Sequence, residues 1–251
     1  MTTPTDTEAR CGYALCGDAR AGSVFLTQLL ASTDKLGRPW EFFHDPRTAG
    51  RIVRDPVAAL DQLARQAATP NGVYGLKVFT PHFDLVRKAR WAERLPRLGF
   101  VHVTRRDLLG QAISLTRAVQ TGRYKFGQAG GEPRYDRRKI ADALARLAWG
   151  QGRWESWFAR NGLAPLRLAY EEVVAAPQAA VDQVAALVGL AEPVPIDMSR
   201  VAVRVQRDVS SEEWRDRFLR EAGDVSYLDG GRLFSRLPRG GAFARWFLGP
   251  R

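Results

Sequence analysis

Short apolar runs alternate along the chain with longer segments of helical periodicity. Strand-length runs predict strands over residues 11–17, 72–79, 99–105 and 165–170. Periodic apolar positions predict helices over 23–32, 55–68, 83–95 and 107–121, a long helix from Asp136 to Gly162, another after Pro177, and a short one within 204–214. This alternation predicts an α/β fold, a parallel β-sheet flanked by helices on both faces.

The segment over which predicted strands and helices alternate defines the predicted domain organisation. Residues 1–10 are polar and predict a disordered N-terminus, and 11–229 predict a single α/β domain. Residues 230–251 form a basic C-terminal tail with five Arg and no acid, which fits either a partner-binding arm or a plain disordered tail. There is no apolar run of membrane-spanning length, and the first residues lack a secretory pattern, so we expect a cytoplasmic protein.

Cys11 and Cys16 lie in one predicted strand. Five residues of strand separate the two Cα atoms by about 16 Å on opposite faces, whereas a disulfide needs about 7 Å or less. We therefore expect two buried free thiols. Two Cys and three scattered His form no metal-ligand spacing, so we expect no metal site.

The positive charge is almost entirely arginine. The chain has a formal net charge of +11, and 33 of its 38 basic residues are Arg. Much of this fits a general preference for Arg over Lys on solvated surfaces. The guanidinium fork nevertheless suits phosphate and sulfate oxyanions, so the surplus favours a polyanionic partner, either a nucleotide, a nucleic acid or an acidic surface. The sequence contains no recognisable nucleic-acid module, and we expect no nucleic-acid partner.

Three predicted loops follow the first three strands, at 17–23, 79–82 and 104–107. In a parallel sheet these loops meet at one edge, where ligands bind. The first loop contains Arg20, Gly22 and Ser23 just before a helix, a place where backbone N–H groups can receive an anion. It lacks the Lys of a nucleotide-triphosphatase loop, and an ordinary strand-to-helix turn remains possible here.

The third loop carries a second candidate anion contact. Ser114 lies eight residues after Arg106, a helical rise of about 12 Å. The two side chains can share one anion only if Arg106 is non-helical and folds back over the helix. Asp107 is suited to cap that helix.

These loops, in this order, resemble the PAPS-dependent sulfotransferases, where PAPS is 3′-phosphoadenosine 5′-phosphosulfate. The stretches PWEFF (39–43), YGLKVFTPHFD (74–84) and VQRDVSSEEW (205–214) are similar to the bacterial Stf0 type, over residues 12 to 220. The resemblance implies a P-loop-like three-layer sulfotransferase fold, PAPS as donor without a metal, a carbohydrate or small-molecule acceptor, and a possible homodimer.

The resemblance also assigns roles to individual residues. The 5′-phosphosulfate would be held by Arg20, Ala21, Gly22 and Ser23, and the 3′-phosphate by Arg106 and Ser114. Tyr170 would border the adenine. The residues implied to close over the nucleotide are Arg204, Arg207 and Gln206. Two departures from the family loop R-S-G-S-T stand out, because Ala21 and Val24 replace residues with hydroxyls; they would weaken donor binding unless backbone groups compensate.

The acceptor side of the implied site centres on Glu41, which matches the family's catalytic base. The flanking aromatics are expected to raise its pKa as an apolar shell does, although a surface Glu in an aromatic turn is the alternative. Trp40 and Phe43 are candidates to stack on the acceptor or to pack in the core, and His82 is a candidate substrate contact. Arg20, the helix N-terminus and Lys77 are candidates to stabilise charge on the leaving phosphate.

The sequence thus predicts sulfuryl transfer from PAPS to a hydroxyl. The alternative is a non-catalytic or degenerate nucleotide- or nucleic-acid-binding protein on the same fold, favoured by the loop departures and the charge. A kinase is a third hypothesis, disfavoured by the missing loop Lys.

Overall fold

A single parallel sheet forms the centre of the fold. The computed structural model describes residues 8–124, 130–202 and 209–222, and within these ranges the sheet has four strands in the order β2-β1-β3-β4. The strands are Cys11–Gly17 (β1), Val73–Phe79 (β2), Leu98–Thr104 (β3) and Leu166–Ala169 (β4). All neighbouring pairs are parallel, so the carboxyl ends of the strands share one edge.

Helices cover both faces of this sheet. In chain order they are Ser23–Ser32 (α1), Pro46–Arg54 (α2), Pro56–Ala67 (α3), Phe83–Lys88 (α4), Trp91–Arg94 (α5), Leu108–Thr121 (α6), Arg137–Arg160 (α7), Tyr170–Ala175 (α8), Pro177–Leu187 (α9) and Val209–Ala222 (α10). The predicted α/β class, with helices on both faces, is confirmed.

Side-chain alternation along β1 divides the core in two. Ala14 and Cys16 point to one face, where they join an aromatic cluster that includes Trp91 and Trp154. Tyr13 and Leu15 point to the other face, into the cluster formed with α1 and α9. A third apolar cluster joins α6, α7 and α10. Because the strands are buried on both faces, they are nearly continuous apolar runs in the sequence.

Several element boundaries differ from those predicted. The predicted helix over 83–95 is broken into α4 and α5, because Arg90 adopts a left-handed conformation with φ of 54°. The short helix α2 was not predicted. It begins at Pro46, where Asp45 caps it by accepting a hydrogen bond from the backbone N–H of Arg47.

The two cysteines confirm the predicted absence of a disulfide, since both are free thiols. They lie on opposite faces of the sheet, as their spacing predicts: Cys16 belongs to the aromatic side, and Cys11 packs against the α1–α9 side. Cys16 is fully buried, but Cys11 is only partly buried. The prediction of burial is therefore right for Cys16 and wrong for Cys11, which lies at the start of its strand.

Some predictions concern residues outside the ranges that the structure describes. The basic tail over 230–251, the first seven residues, and the implied nucleotide contacts Arg204, Gln206 and Arg207 lie outside the described residues. The boundaries of the predicted domain at 11 and 229 therefore stay predictions. Among the helices of the described ranges, none combines the length and the apolar character required to cross a membrane.

The packing of α1 generates a stability prediction. Leu26 is completely buried on the inner face of α1, whereas Leu219 on α10 keeps 59% of its surface exposed. Leu26→Ala should lower the free energy of unfolding by about 2–5 kcal/mol, because it removes apolar contacts and leaves a cavity. Chemical denaturation measures this value. Leu219→Ala is the matched control, with an expected change within about 0.5 kcal/mol; equal losses in the two variants would contradict the described packing of α1.

Candidate active site

The carboxyl edge of the sheet brings the predicted loops together. After β1 the chain continues to β2 on one side, while β3 lies on the other side of β1. The order of strands therefore reverses between β1 and β3, and this is the position where open α/β sheets form a ligand crevice. The loop 18–22 follows β1, and the loop 105–107 follows β3. These two loops flank the crevice.

The first loop is shaped by two left-handed residues. Arg20 has φ of 66° and Gly22 has φ of 77°. A Cβ atom at Gly22 would lie 2.2 Å from Cδ2 of Tyr170, so a larger residue cannot occupy this position without displacing the tyrosine. Gly22 is the N-cap of α1 and provides no side-chain cap. The first turn of α1 therefore begins at the crevice, with backbone N–H groups suited to an anion.

The loop is held from behind by a side chain that the sequence analysis missed. Gln111 of α6 is fully buried, and its Nε2 donates a hydrogen bond of 2.8 Å to the carbonyl of Ala19. The sequence signal for this contact was an amide side chain in the first turns of the helix after Arg105 and Arg106. A buried amide needs hydrogen-bond partners, so it can hold a neighbouring loop. Gln111 thus fixes the loop to α6.

Arg20 reaches across the crevice to α6. Its Nε donates to Oγ of Ser114 at 2.9 Å, and its Nη1 donates to the backbone carbonyl of Tyr124 at 2.8 Å. Burial lowers the pKa of Arg20, and the nearby charge of Arg105 lowers it further. The resemblance assigns Arg20 and Ser114 to different ends of PAPS; the structure places their side chains in direct contact.

The arginine pair after β3 divides between two environments. Arg106 is non-helical, as sharing an anion with Ser114 would require, but its side chain is 61% exposed and pairs with Glu172. Arg105 is only 22% exposed, and its guanidinium lies 5.1 Å from the centre of the Tyr170 ring. The resemblance assigns the 3′-phosphate to Arg106 and gives no role to Arg105, although the two are adjacent. Asp107 caps α6 as predicted, by accepting a hydrogen bond from Gly110.

Tyr170 begins a short helix rather than ending a strand. The predicted strand over 165–170 ends at Ala169, and α8 starts at Tyr170. The carboxylate of Glu172 accepts a hydrogen bond from the backbone N–H of Ala169 at 3.3 Å and so favours this turn. The Tyr170 ring lies between the glycine of the first loop and Arg105. It therefore borders the crevice, as the resemblance implies for the residue beside the adenine.

Glu41 pairs with a buried lysine. Its Oε1 lies 2.8 Å from Nζ of Lys77, which is 3% exposed, and its Oε2 lies 3.7 Å from Nε2 of His44. The expected apolar shell is therefore replaced by an ammonium and an imidazole. Lys77, a candidate for the leaving phosphate in the sequence analysis, contacts the candidate base instead. Glu41 itself is 34% exposed, so it remains accessible to a substrate.

Two histidines complete the group around Glu41. The rings of His44 and His82 meet edge to face, with 4.6 Å between their centres. Burial lowers the pKa of His82 to about 4, and the neighbouring His44 adds to the effect, so His82 is neutral at neutral pH. Phe43 is buried against His82, whereas Trp40 is 46% exposed. Phe43 is thus a core residue, and Trp40 is available to a ligand.

Asp18 is a buried acid at the start of the first loop. A Cβ atom at Gly150 of α7 would lie 2.2 Å from its Oδ2, so the carboxyl group packs tightly on that helix. Nε1 of Trp154 donates to Oγ1 of Thr80 at 3.0 Å, and Thr80 in turn bonds to Asp18. Burial raises the pKa of Asp18 to about 7, although Thr80 and Arg146 oppose the shift. Within the described ranges, no three His, Cys, Asp or Glu side chains come together as a metal site would require.

Comparison with known proteins identifies the family of this chain. The Stf0 sulphotransferase family matches residues 12–221, a range that contains both the arginine crevice and the Glu41 group. The chain belongs to the Stf0 sulphotransferase family. The resemblance drawn from the sequence motifs is therefore confirmed.

Two relatives of this chain are trehalose 2-sulfotransferases. The protein of Mycobacterium tuberculosis (strain ATCC 35801 / TMC 107 / Erdman) is 27% identical over an alignment 263 residues long, gaps included, and the aligned region spans 84% of this chain and 95% of the relative. That of Mycolicibacterium smegmatis (strain ATCC 700084 / mc(2)155) is 25% identical over 268 residues, with the same coverage. A sulfotransferase domain from the Synechococcus PCC 7002 olefin synthase aligns with all of this chain and 92% of its own, at 12% identity and a TM-score of 0.42.

The buried Asp18 of this Stf0 protein generates a pH prediction. Its pKa is 3.8 in an unfolded chain and about 7 in the fold. Between pH 3.8 and about pH 7, Asp18 is ionised in the unfolded chain but still protonated in the folded protein. The free energy of unfolding therefore falls as the pH rises through this range. The full shift corresponds to about 4 kcal/mol. Asp18→Asn should flatten the decline of Tm between pH 5 and pH 8, as measured by thermal denaturation in a pH series.

A surface acid provides the control for this measurement. Asp61 on α3 is 55% exposed, and Asp61→Asn should leave the wild-type dependence of Tm on pH in place. A wild-type profile without a decline over this range, or a decline that persists in Asp18→Asn, would show that Asp18 is already ionised in the fold.

Proposed function

We propose that this protein transfers a sulfuryl group from PAPS to a hydroxyl group of a carbohydrate. Membership in the Stf0 sulphotransferase family supports the transfer, and the trehalose 2-sulfotransferases among its relatives support the acceptor class. The single observation that carries the proposal is the contact between Arg20 and Ser114 across the switch point of the sheet. It joins the two predicted anion-binding motifs in one crevice.

The crevice is suited to a donor with several negative charges. The loop from Arg20 to Ser23 and the first turn of α1 would hold the 5′-phosphosulfate, because guanidinium and N–H groups both favour oxyanions. Ser114 and an arginine from the loop after β3 would hold the 3′-phosphate, and Tyr170 would border the adenine. The stretch with Arg204 and Arg207 stays a predicted contact.

Ala21 and Val24, the two departures from the family loop, differ in their surroundings. Ala21 is 2% exposed and packs in the core of the α1–α9 side, so a hydroxyl there would need a buried partner. Val24 is only partly buried on the first turn of α1. We infer that the backbone of this turn and Arg20 carry most of the binding of the phosphosulfate in this chain, since Ala21 and Val24 cannot donate a hydrogen bond from their side chains.

On the acceptor side, Glu41 would receive the proton of the attacking hydroxyl. As the acceptor oxygen bonds to sulfur, the bond from sulfur to the 5′-phosphate oxygen breaks, and positioning provides most of the rate. Lys77, on β2, contacts one carboxylate oxygen of Glu41. This contact fixes the direction of the second carboxylate oxygen. Neutral His82 would offer a hydrogen bond near the acceptor, and the exposed Trp40 would offer a face on which a sugar ring can stack.

A sulfuryl group carries less charge than a phosphoryl group, so we expect the reaction to need no divalent metal. The homodimer implied by the resemblance stays a prediction.

The test is incubation of the purified full-length protein with labelled PAPS and a panel of hydroxyl acceptors that includes trehalose. Mass spectrometry should show an acceptor that gains one SO₃ group, in the presence of EDTA as well. The competing hypothesis is a nucleotide- or nucleic-acid-binding protein without catalysis, favoured by Ala21 and Val24. Binding of 3′,5′-adenosine bisphosphate without any transfer would support it, and preference for single-stranded DNA over the bisphosphate would overturn the sulfotransferase proposal.

Glu41 provides the kinetic prediction. Glu41→Gln should lower kcat by about 10²–10⁴-fold, because the amide cannot accept the proton of the acceptor hydroxyl. The Kd for 3′,5′-adenosine bisphosphate should stay unchanged, since Glu41 lies on the acceptor side. Steady-state kinetics and calorimetry measure the two quantities.

The control variant is Glu192→Gln, at a carboxylate that is 84% exposed and pairs with Lys35. It should keep wild-type kcat. A Glu41→Gln enzyme with wild-type kcat would remove Glu41 from the role of base and leave His82 as the next candidate.

A further inference from the structure

Two chain segments leave the sheet side by side at its carboxyl edge. The last paired residues of β1 and β2 are Gly17 and Phe79, and Asp18 and Thr80 follow them directly. From this point the segments separate. The one after β1 becomes the loop of the proposed donor side, whereas the one after β2 leads to His82 on the acceptor side. The position of the donor side relative to the acceptor side is therefore decided where these two segments part.

Asp18 and Thr80 are joined through their side chains. Each is only 5% exposed, and the hydroxyl of Thr80 bonds to the carboxyl group of Asp18. The indole N–H of Trp154 can only donate, so Oγ1 of Thr80 accepts from it at 3.0 Å and donates its own proton to Asp18. The side chains thus continue the pairing of β1 with β2 by one residue beyond the sheet.

The long helix α7 supports this link from one face. Gly150 and Trp154 lie one helical turn apart on α7. Gly150 packs on Asp18, since a Cβ atom there would lie 2.2 Å from Oδ2, and Trp154 bonds to Thr80. Trp154 is completely buried and stacks on Phe158, with 5.9 Å between the ring centres. The link between the two segments is therefore held against a densely packed part of the core.

Each side of the site also has internal contacts of its own. On the donor side, Gln111 bonds to the carbonyl of Ala19, and Arg20 bonds to Ser114. On the acceptor side, Lys77 pairs with Glu41. These contacts do not involve the hydroxyl of Thr80. Its loss should therefore leave each side intact and change the position of one side relative to the other.

We propose that Thr80 is a positioning residue for sulfuryl transfer, which acts through Asp18 to hold the donor loop in register with the acceptor side. The proposal rests on the proposed function and adds to it the contact that aligns its two halves. In-line transfer needs the acceptor oxygen and the sulfur atom in a near-attack geometry, and a misplacement of about 1 Å can lower the rate about 10²-fold. A hydroxyl that touches neither reactant can thus control the rate.

The test replaces the hydroxyl of Thr80 by a methyl group of similar size. Thr80→Val should lower kcat by roughly 10- to 100-fold, because the reactants are no longer aligned. The Kd for 3′,5′-adenosine bisphosphate and the KM for the acceptor should stay at their wild-type values. Thr80→Ser keeps the hydroxyl and should restore most of kcat. Calorimetry gives the Kd, and steady-state kinetics with PAPS and the acceptor that gains SO₃ in the panel give the other two quantities.

Thr116 provides the matched control. It is also buried, at 3% exposed, but its hydroxyl bonds to the carbonyl of Ala112 within α6. Thr116→Val should keep wild-type kcat, even where the loss of a buried hydrogen bond lowers Tm. Trp154→Phe decides the question if Thr80→Val fails to fold. It removes the N–H donor to Thr80 and keeps an aromatic ring, and it should lower kcat without changing the Kd for the bisphosphate.

Three results would overturn the positioning role. The first is wild-type kcat in Thr80→Val or, should that variant not fold, in Trp154→Phe. The second is a kcat as low in Thr80→Ser as in Thr80→Val. The third is a rise in the Kd for the bisphosphate that parallels the fall in kcat, because Thr80 would then only support the donor loop. In all three cases the wild-type transfer itself stands. If the wild-type protein transfers SO₃ to no acceptor of the panel, the proposed function fails, and this role fails with it.

Discussion

The guanidiniums of Arg20 and Arg105, in the loops on either side of the switch point of the sheet, are the constraint around which this site is arranged. Arg20 and Arg105 are both largely buried. Charges are poorly screened when they are removed from water. The fold surrounds them with a hydroxyl from Ser114, a backbone carbonyl from Tyr124 and the ring of Tyr170. These groups accept hydrogen bonds or face a cation but carry no charge, and the one carboxylate that pairs with Arg105 among the described residues, Asp107, is shared with Arg215. The crevice therefore keeps an excess of positive charge that a multiply charged anion would neutralise.

The acceptor side follows the opposite electrostatic rule. Lys77 is even more deeply buried than the arginines, but the carboxylate of Glu41 lies against it at 2.8 Å. An unpaired ammonium at this depth would be costly, so the pair is retained as a unit. With the charges cancelled and His82 neutral, this side suits an uncharged hydroxyl compound. One edge of the sheet thus combines a positively charged site, suited to the proposed donor, with a charge-balanced site, suited to the proposed neutral acceptor.

The sequence was most informative where local rules decide the structure. β1 and α1 match their predicted limits, because a buried apolar run, a left-handed glycine and a periodic helix are all local signals. The six-residue helix α8 was missed because its start depends on Glu172, whose carboxylate folds back on Ala169. The partners of Lys77 and Arg20 could not be predicted from the sequence either, since each contact joins elements that are distant along the chain. Spacing alone also could not separate Arg105 from Arg106, because burial rather than sequence distinguishes two adjacent arginines.

Asp18 shows how the fold preserves the positive charge of the crevice. It lies two residues before Arg20, where an ionised carboxylate would cancel part of the charge that the donor requires. Gly150 lets α7 pack directly on the carboxyl group, and this burial raises its pKa to about 7. Below that pH the protonated Asp18 still bonds to Thr80 and anchors the end of β2, without adding a full negative charge beside the loop. The core thus retains a polar anchor for the loop while the arginines keep their attraction for an anion.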